Sequence, residues 1–380
     1  MSVSSKAFPA TYSLLFIAAA ASLLWNTPAE ILDDALADTE LAEKTFEATP
    51  HFECDFLHVS PGTPSVHAGT ITELADGTLL AGWFGGTREG ARDVAIYASR
   101  RSPGSEWSHP EAIATREDTG ESLGRYIRKL GNPVIYRDSE DRVWLFYVAV
   151  SIGGWSGSFI VVKSSDDNGR TWTPAKRLVT SPFLNISTLL KGSPLQTTSG
   201  HLVLPVYHEF VQKFGELLWL NRDGDLVYKN KISPTTGTLQ PWLVPTDQQQ
   251  IRAYYRQSGH PENRVLTNTA DRLSGPWTDP ESIDVPNPNS ATAVIHRNGG
   301  GYLMAANPTE AGRKQLALAI SDDGVNWRFI KDLENESGKG QFSYPYAIRS
   351  SDGNYHVIYT WNRKRMRIAT FNDAWLEAQQ

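Results

Sequence analysis

The feature that most constrains the fold is an eight-residue stretch, Ser165-Asp166-Asp167-Asn168-Gly169-Arg170-Thr171-Trp172, with degraded copies along the chain. Its acidic side chain can cap the turn through the nearby backbone, and its Gly tolerates positive φ, so the stretch specifies a tight turn. Thr and Trp then open the next strand, with the indole placed to plug a gap between neighbouring sheets. Related endings occur at Gly104-Ser105-Glu106-Trp107, Asn221-Arg222-Asp223-Gly224-Asp225, Gly275-Pro276-Trp277 and Asp322-Asp323-Gly324-Val325-Asn326-Trp327; in the last, Ile320 is read at the place of Ser165. The turns fall near residues 107, 172, 225, 277 and 327. That spacing of roughly 50 to 65 residues holds three or four strands, the length of a propeller blade.

The sequence between the turns fits this unit. From about residue 55, short alternating or apolar runs are separated by Asp, Gly, Asn and Pro. Thr70–Glu73, Thr78–Phe84 and Asp93–Ser99 form a first group of strands, and Pro133–Tyr136, Val143–Val150 and Phe159–Lys163 a second. Six such groups predict an all-β, six-bladed β-propeller over residues 54–380. The last group, Ser343–Arg349, Tyr355–Thr360 and Met366–Phe371, has only three strands. Phe56–Ser60 is therefore expected to supply the fourth and close the ring, protecting its edges. A β-sandwich or parallel solenoid ranks lower, because several runs reach seven or eight residues and turn signals recur within each group.

The N-terminus differs. Residues 1–26 contain the uncharged apolar run Tyr12–Trp25, which reads either as a signal peptide or as a retained membrane anchor. Both readings place the propeller outside the cytoplasm: periplasmic, secreted or membrane-tethered. Residues 27–53, rich in Ala, Glu and Asp, read as a polar linker. The single cysteine, Cys54, excludes an intrachain disulfide, so stability must come from the core. A net charge of −6 argues against nucleic acid as the main partner, and an anionic ligand then requires a local cluster of Arg or Lys. No His/Cys cluster has zinc spacing, and neither a phosphate loop nor a Gly-x-Ser-x-Gly elbow is present. A cofactor-independent monomer is expected.

Propellers gather functional residues at one end of the central channel, where inner strands begin. Candidates there are His67, the Gly85–Asp93 loop with Glu89 and Asp93, Arg256 after IRAYY, and Arg313 before QLALAIS. Tyr344 and Tyr346 around Pro345, then Arg363 and Arg365, follow in the last group. Glu89 and Asp93, flanked by arginines, offer a general acid, although a solvated charge-balanced loop has the same composition. Lys191-Gly192-Ser193-Pro194, Gly131-Asn132-Pro133 and Asn287-Pro288-Asn289-Ser290 open equivalent strands, and His208-Glu209 follows one.

On these residues the chain resembles the sialidase (neuraminidase) superfamily, in its branch of sialidase-like propellers with Asp-box repeats, over about residues 56–372. The Ser165–Trp172 stretch matches the Asp-box Ser-x-Asp-x-Gly-x-Thr-Trp throughout, and the resemblance implies a structural turn away from the catalytic face. Arg256 and Arg313 look like two of the three arginines that grip a substrate carboxylate. Tyr344, fifteen residues before Tyr359 across Asp352-Gly353, looks like the nucleophile. A neutral tyrosine avoids repulsion with the sugar's carboxylate, which sets sialidases apart from paired-carboxylate glycosidases.

The departures from the family pattern are specific. His67 stands where the first arginine belongs, Gln240 where a Glu would activate Tyr344, and Thr360 where a Glu follows the second Tyr. Spacing favours Glu89 as the acid, residue type Asp93. Losing one charge-assisted hydrogen bond removes about 1.5–3 kcal/mol of carboxylate binding. The expectation is a sialidase-like exo-glycosidase acting on an acidic oligosaccharide or polysaccharide containing sialic or uronic acid. Tyr344 with Glu89 or Asp93 would be catalytic, while Arg256, Arg313, His67 and Gln240 bind substrate. The alternatives are a non-catalytic glycan-binding propeller, or a polysaccharide lyase using His67 and Tyr344 as base and acid.

Overall fold

The computed structural model describes residues 34–37, 49–181, 185–336 and 338–379. The apolar run Tyr12–Trp25 lies outside them, and among the described residues no helix is long and apolar enough to cross a membrane.

Six antiparallel sheets follow one another along the chain. Blade 1 comprises β2 (Ser65–Glu73), β3 (Leu79–Gly86), β4 (Ala95–Arg101) and β5 (Glu111–Ala114). After helix α1 (Arg116–Leu123), blade 2 comprises β6 (Lys129–Arg137), β7 (Val143–Val150), β8 (Ser158–Ser165) and β9 (Lys176–Arg177). Blade 3 has a divided inner strand, β10 (Leu189–Leu190) and β11 (Leu195–Gln196), both paired with β12 (Leu202–His208), followed by β13 (Phe214–Leu220) and β14 (Leu226–Lys231). Blade 4 is β15 (Thr238–Pro245), β16 (Ile251–Gln257), β17 (Arg264–Ala270) and β18 (Glu281–Pro286). Blade 5 is β19 (Ala293–His296), β20 (Tyr302–Ala306), β21 (Gln315–Ser321) and β22 (Arg328–Asn335). Blade 6 is β23 (Phe342–Arg349), β24 (Tyr355–Trp361) and β25 (Arg365–Phe371).

Successive blades pack in a cycle, β2 on β6, β6 on β10, β12 on β15, β15 on β19, β19 on β23 and β23 back on β2, which closes the ring. Strands deep in a blade face a neighbouring sheet on both sides, which explains why β7, VWLFYVAV, is buried at every position instead of alternating.

The fourth strand of blade 6 is β1, Phe52–Phe56, antiparallel to β25 with Phe52 opposite Phe371 and Phe56 opposite Arg367. It ends where Phe56–Ser60 was expected to begin. Phe52 stacks on Trp375 at 4.5 Å, whereas the chain after Leu57 turns at Ser60–Thr63, where the Thr63 N–H donates to the Ser60 carbonyl. The propeller thus starts within the stretch read as linker. Residues 34–37 of that stretch also lie along blade 3: Leu36 bridges Thr197, and the Ala37 N–H donates to the Gln196 carbonyl at 2.9 Å. The buried Asp34 carboxylate accepts from the Ser199 N–H at 3.2 Å and lies 2.9 Å from His201 Nδ1.

The Asp-box turn is built as its residues dictate. Asp167 Oδ1 accepts from the Arg170 and Thr171 N–H groups at 2.9 and 2.8 Å, and Ser165 Oγ accepts from the Gly169 N–H at 2.8 Å. Asn168 and Gly169 both have positive φ, 61° and 71°. Hydrogen bonds from Ser165 and Thr171 hold the Asp167 carboxyl well below the usual carboxylate range. Trp172 packs against the core shared by blades 1 and 2. In blade 5 the counterpart of Ser165 is Ser321, not Ile320: its Oγ accepts from the Gly324 N–H at 2.9 Å. That turn is one residue shorter, which displaced the alignment. Donors from the preceding blade bind these turns, Arg100 reaching the Asn168 carbonyl at 2.6 Å and Tyr254 the Gly324 carbonyl at 2.6 Å. The boxes therefore staple blade to blade.

Candidate active site

In an up-and-down blade, the start of the first strand, the end of the second and the start of the third lie at one end. The Asp-box turns, between third and fourth strands, lie at the other. His67, Gln240 and Tyr344 open first strands; Arg256 ends a second; Arg313 precedes a third. Topology alone therefore gathers these residues and removes the Asp boxes from the chemistry.

A repeated bulge turns inner-strand side chains toward the axis. Pairing registers slip between His67 and Thr70, Gly131 and Val134, Leu239 and Trp242, and Ser343 and Tyr346. Within the bulges Ala68, Asn132, Gln240 and Tyr344 have positive φ of 55°, 42°, 50° and 57°, and Asn289 ahead of β19 has 56°. Asn132, Gln240 and Tyr344 each precede a proline, a position normally held extended. Sparsely populated backbone of this kind costs roughly 1–3 kcal/mol per residue and concentrates at functional sites. The proline lacks an N–H, so the broken ladder orphans no donor there.

Side chains from these bulges meet. Gln240 Nε2 donates to Tyr344 Oη at 3.1 Å and to Tyr207 Oη at 3.2 Å. Gln240 Oε1 accepts from Arg256 at 3.3 Å, and since a guanidinium only donates, this contact fixes the amide's orientation. Arg256 Nε also donates to Asn289 Oδ1 at 2.6 Å, and Arg313 donates to the Asn289 carbonyl at 2.7 Å. Burial first, then Arg256, lowers the Arg313 pKa, and both guanidinium groups bond to Asn289.

The His67 ring packs against Tyr344 with centroids 4.3 Å apart and the ring planes tilted by 55°. Its Nδ1 lies 3.0 Å from Thr360 Oγ1, which also accepts the Ala68 N–H at 3.1 Å. Two departures from the family pattern, His67 and Thr360, are thus one contact. Burial first, then Arg363, Arg313, Lys191 and Arg256, pushes the His67 pKa well below its ordinary value, leaving it neutral. Tyr359 points elsewhere. Its hydroxyl donates to Glu334 at 2.7 Å in a buried cluster with Cys54 and Arg367.

The two acid candidates separate. Glu89 is half-buried and ion-paired with Arg363, whose own φ of 54° turns it inward. Asp93 is exposed and accepts from the Thr87 N–H at 2.8 Å and the Thr87 hydroxyl, closing its own loop. These hydrogen bonds lower the Asp93 pKa. Arg365 is remote from this cluster, donating to the Leu57 carbonyl over the Phe56 ring. His208 pairs with Glu216 at 3.0 Å, not with Glu209.

Asn132, Tyr207 and Asn289 join the site, with Asn132 3.5 Å from the Tyr207 hydroxyl. Asn132 and Asn289 come from strand openings already singled out, and for Asn132 the recurrence of Asn132-Pro133, Gln240-Pro241 and Tyr344-Pro345 about two repeat lengths apart is a further signal, whereas Tyr207 carries none. Among the described residues no group of three His, Cys, Asp or Glu side chains is arranged to hold a metal ion.

Comparison with known proteins agrees with this architecture. The chain resembles the Hadza microbial sialidase Hz136 with a TM-score of 0.68 at 15% identity, covering 81% of this chain and 66% of that one. It resembles the intramolecular trans-sialidase from Ruminococcus gnavus, solved with oseltamivir carboxylate, with a TM-score of 0.67 at 14% identity, covering 85% and 98%. A Dyadobacter fermentans protein of unknown function gives 0.69 at 10% identity, covering 84% and 98%. At these identities the likeness is one of fold. No curated protein matches the chain by sequence. The description of the BNR repeat-like domain matches residues 77–357, most of the chain, and the protein belongs to that family as a sialidase-like BNR propeller.

Proposed function

We propose that this propeller is an exo-glycosidase that hydrolyses the bond to a terminal sugar bearing a carboxylate, either a sialic or a uronic acid. The observation that carries this reading is the connected cluster Tyr344–Gln240–Arg256–Asn289–Arg313, a hydroxyl nucleophile beside two guanidinium groups. Arg256 and Arg313 grip the sugar's carboxylate. Arg363 stands in for the arginine missing at position 67. Substrate carboxylate competes with Glu89 for Arg363, which releases Glu89 toward the leaving-group oxygen.

Tyr344 Oη then attacks the anomeric carbon as the glycosidic C–O bond breaks. Freed from Arg363, Glu89 takes up a proton from solvent and gives it to the departing oxygen, while the phenol proton passes to solvent because Gln240 accepts none. Water, deprotonated by the Glu89 carboxylate, attacks the anomeric carbon, and Tyr344 leaves as phenolate and regains its proton from solvent. Asp93, committed to Thr87, has no part in this reading. The uncharged run Tyr12–Trp25 supports placing the reaction outside the cytoplasm.

One observation favours a second reading. A neutral His67 packed against Tyr344 is suited to abstracting a proton next to a carboxylate, with elimination of the leaving sugar. Incubating the purified protein with sialosides, uronic-acid-terminated oligosaccharides and oligosaccharides holding an internal 4-linked uronic acid, and weighing the products, separates the readings. Gain of one water marks hydrolysis, an unsaturated sugar marks elimination, and binding without turnover marks a glycan-binding module.

A further inference from the structure

Lys191 lies in the break between β10 and β11 and is 2% exposed. Its Nζ has one long contact, 3.4 Å, to the Gly69 carbonyl. Around it stand three rings, with centroids at 4.7 Å for Tyr346, 5.9 Å for Tyr344 and 6.0 Å for Trp242. Among the described residues no carboxylate pairs with it. An ammonium buried without a counterion is costly, and burial alone pushes the Lys191 amine down from 10.5 to about 7.

The titratable groups facing Lys191 are His67 from β2, held neutral, and Tyr344 and Tyr346 from β23. Arg256, Arg313 and Arg363 are the other cations acting on this group of side chains. Each has its own partner: Arg256 has Gln240 and Asn289, Arg313 has the Asn289 carbonyl, and Arg363 has Glu89. Of these four cations Lys191 is the one with only a long contact to a carbonyl and without an anionic or side-chain hydrogen-bond partner among the described residues, and its Nζ lies 5.9 Å from the centre of the Tyr344 ring. A tyrosine nucleophile whose hydrogen-bond partner, Gln240, can accept no proton needs its developing charge offset by nearby cations. A ring that becomes anionic attracts an ammonium more strongly than a neutral ring does.

We propose that Lys191 is a positioning residue for glycosyl transfer, its ammonium offsetting the negative charge that develops on Tyr344 in place of a carboxylate base at position 240. This rests on Tyr344 being the nucleophile. It also implies that the site works best while Lys191 is protonated, so kcat falls as pH rises through neutrality.

The test reads Tyr344 directly. An aryl sulfonyl fluoride is allowed to react with the intact protein, and modification of Tyr344 is timed by peptide mass spectrometry from pH 6 to 9. The wild type, Lys191→Met and Lys191→Gln are compared, and urea unfolding verifies that each is folded. Tyr344 is expected to react at least tenfold faster in the wild type than in either variant at pH 6.5, with the rates converging by pH 9. Where a variant does not fold, the wild type suffices: its log rate against pH is expected to bend near neutrality. Equal rates across the range, or an unbent wild-type line, overturn the proposal. Glycan turnover is measured in parallel. Failure of turnover with the labelling difference intact sinks the glycosidase reading and leaves the Lys191 assignment standing. Turnover with no labelling difference sinks the Lys191 assignment alone.

Discussion

Replacing Lys191 by Met removes the amine while nearly keeping the side chain's length and apolar stem. A lysine that titrates near 10.5 in the unfolded chain and near 7 in the fold weakens folding by up to about 5 kcal/mol through proton linkage. Above pH 10.5 neither state carries the proton and no penalty exists. Between 10.5 and 7 the unfolded chain binds a proton that the folded chain does not, so stability falls as pH falls. Below 7 both states are charged and the penalty is complete. Loss of the aromatic contacts, each worth roughly 0.5–2 kcal/mol to the cation, offsets part of the gain. Lys191→Met is therefore expected to be about 2–3 kcal/mol more stable than the wild type at pH 6. The difference should shrink toward zero by pH 10. Urea unfolding at pH 6, 7, 8.5 and 10 measures it. A variant that is less stable at every pH, with stability curves parallel to the wild type, would refute the claim that this amine is buried unpaired.

Gln240→Glu places a carboxylate where the amide now sits 3.1 Å from Tyr344 Oη. General bases contribute about 10²–10⁴-fold, so kcat on a slow substrate should rise at least about tenfold; an unchanged kcat would show that a base is not what position 240 lacks. Arg363→Ala should weaken binding of a carboxylate-bearing product about ten- to hundredfold by calorimetry, matching a lost charge-assisted hydrogen bond of about 1.5–3 kcal/mol. Unchanged affinity would remove Arg363 from the clamp. Ser165→Ala orphans the buried Gly169 N–H and should cost about 1–3 kcal/mol of stability with kcat unchanged. A fall in kcat at unchanged stability would contradict the structural role of the Asp box.

Much of this was legible in the residues. A turn that needs Ser, Asp and Gly at fixed offsets can be read anywhere, because its bonds stay within a few residues, as between Asp167 and Thr171. The same locality made the shortened copy at Ser321 easy to misplace by one position. Tyr344, Arg256, Arg313 and Gln240 were identifiable because each keeps its spacing to a turn, and the structure joins them. What could not be read were contacts across the ring. His67 and Thr360 are 293 positions apart, and Arg363 and Glu89 are 274 apart. Alternation says which face of a strand a residue takes, not how a bulge rotates it toward the axis. Asp93 looked like an acid because residue type does not reveal that Thr87 occupies it. Lys191 read as one more polar residue at a strand start, because nothing local to it reveals that three blades bury it.

The central claim is that Tyr344 and the arginines beside it hydrolyse the glycosidic bond of an acidic terminal sugar. The most direct measurement is the mass of the sugar released from sialic- and uronic-acid-terminated oligosaccharides in ¹⁸O-labelled water, with Tyr344→Phe as control. The account predicts release of the acidic sugar carrying one ¹⁸O atom from solvent, and loss of that product in Tyr344→Phe. An unsaturated product without solvent oxygen, or release that persists unchanged in Tyr344→Phe, would contradict it.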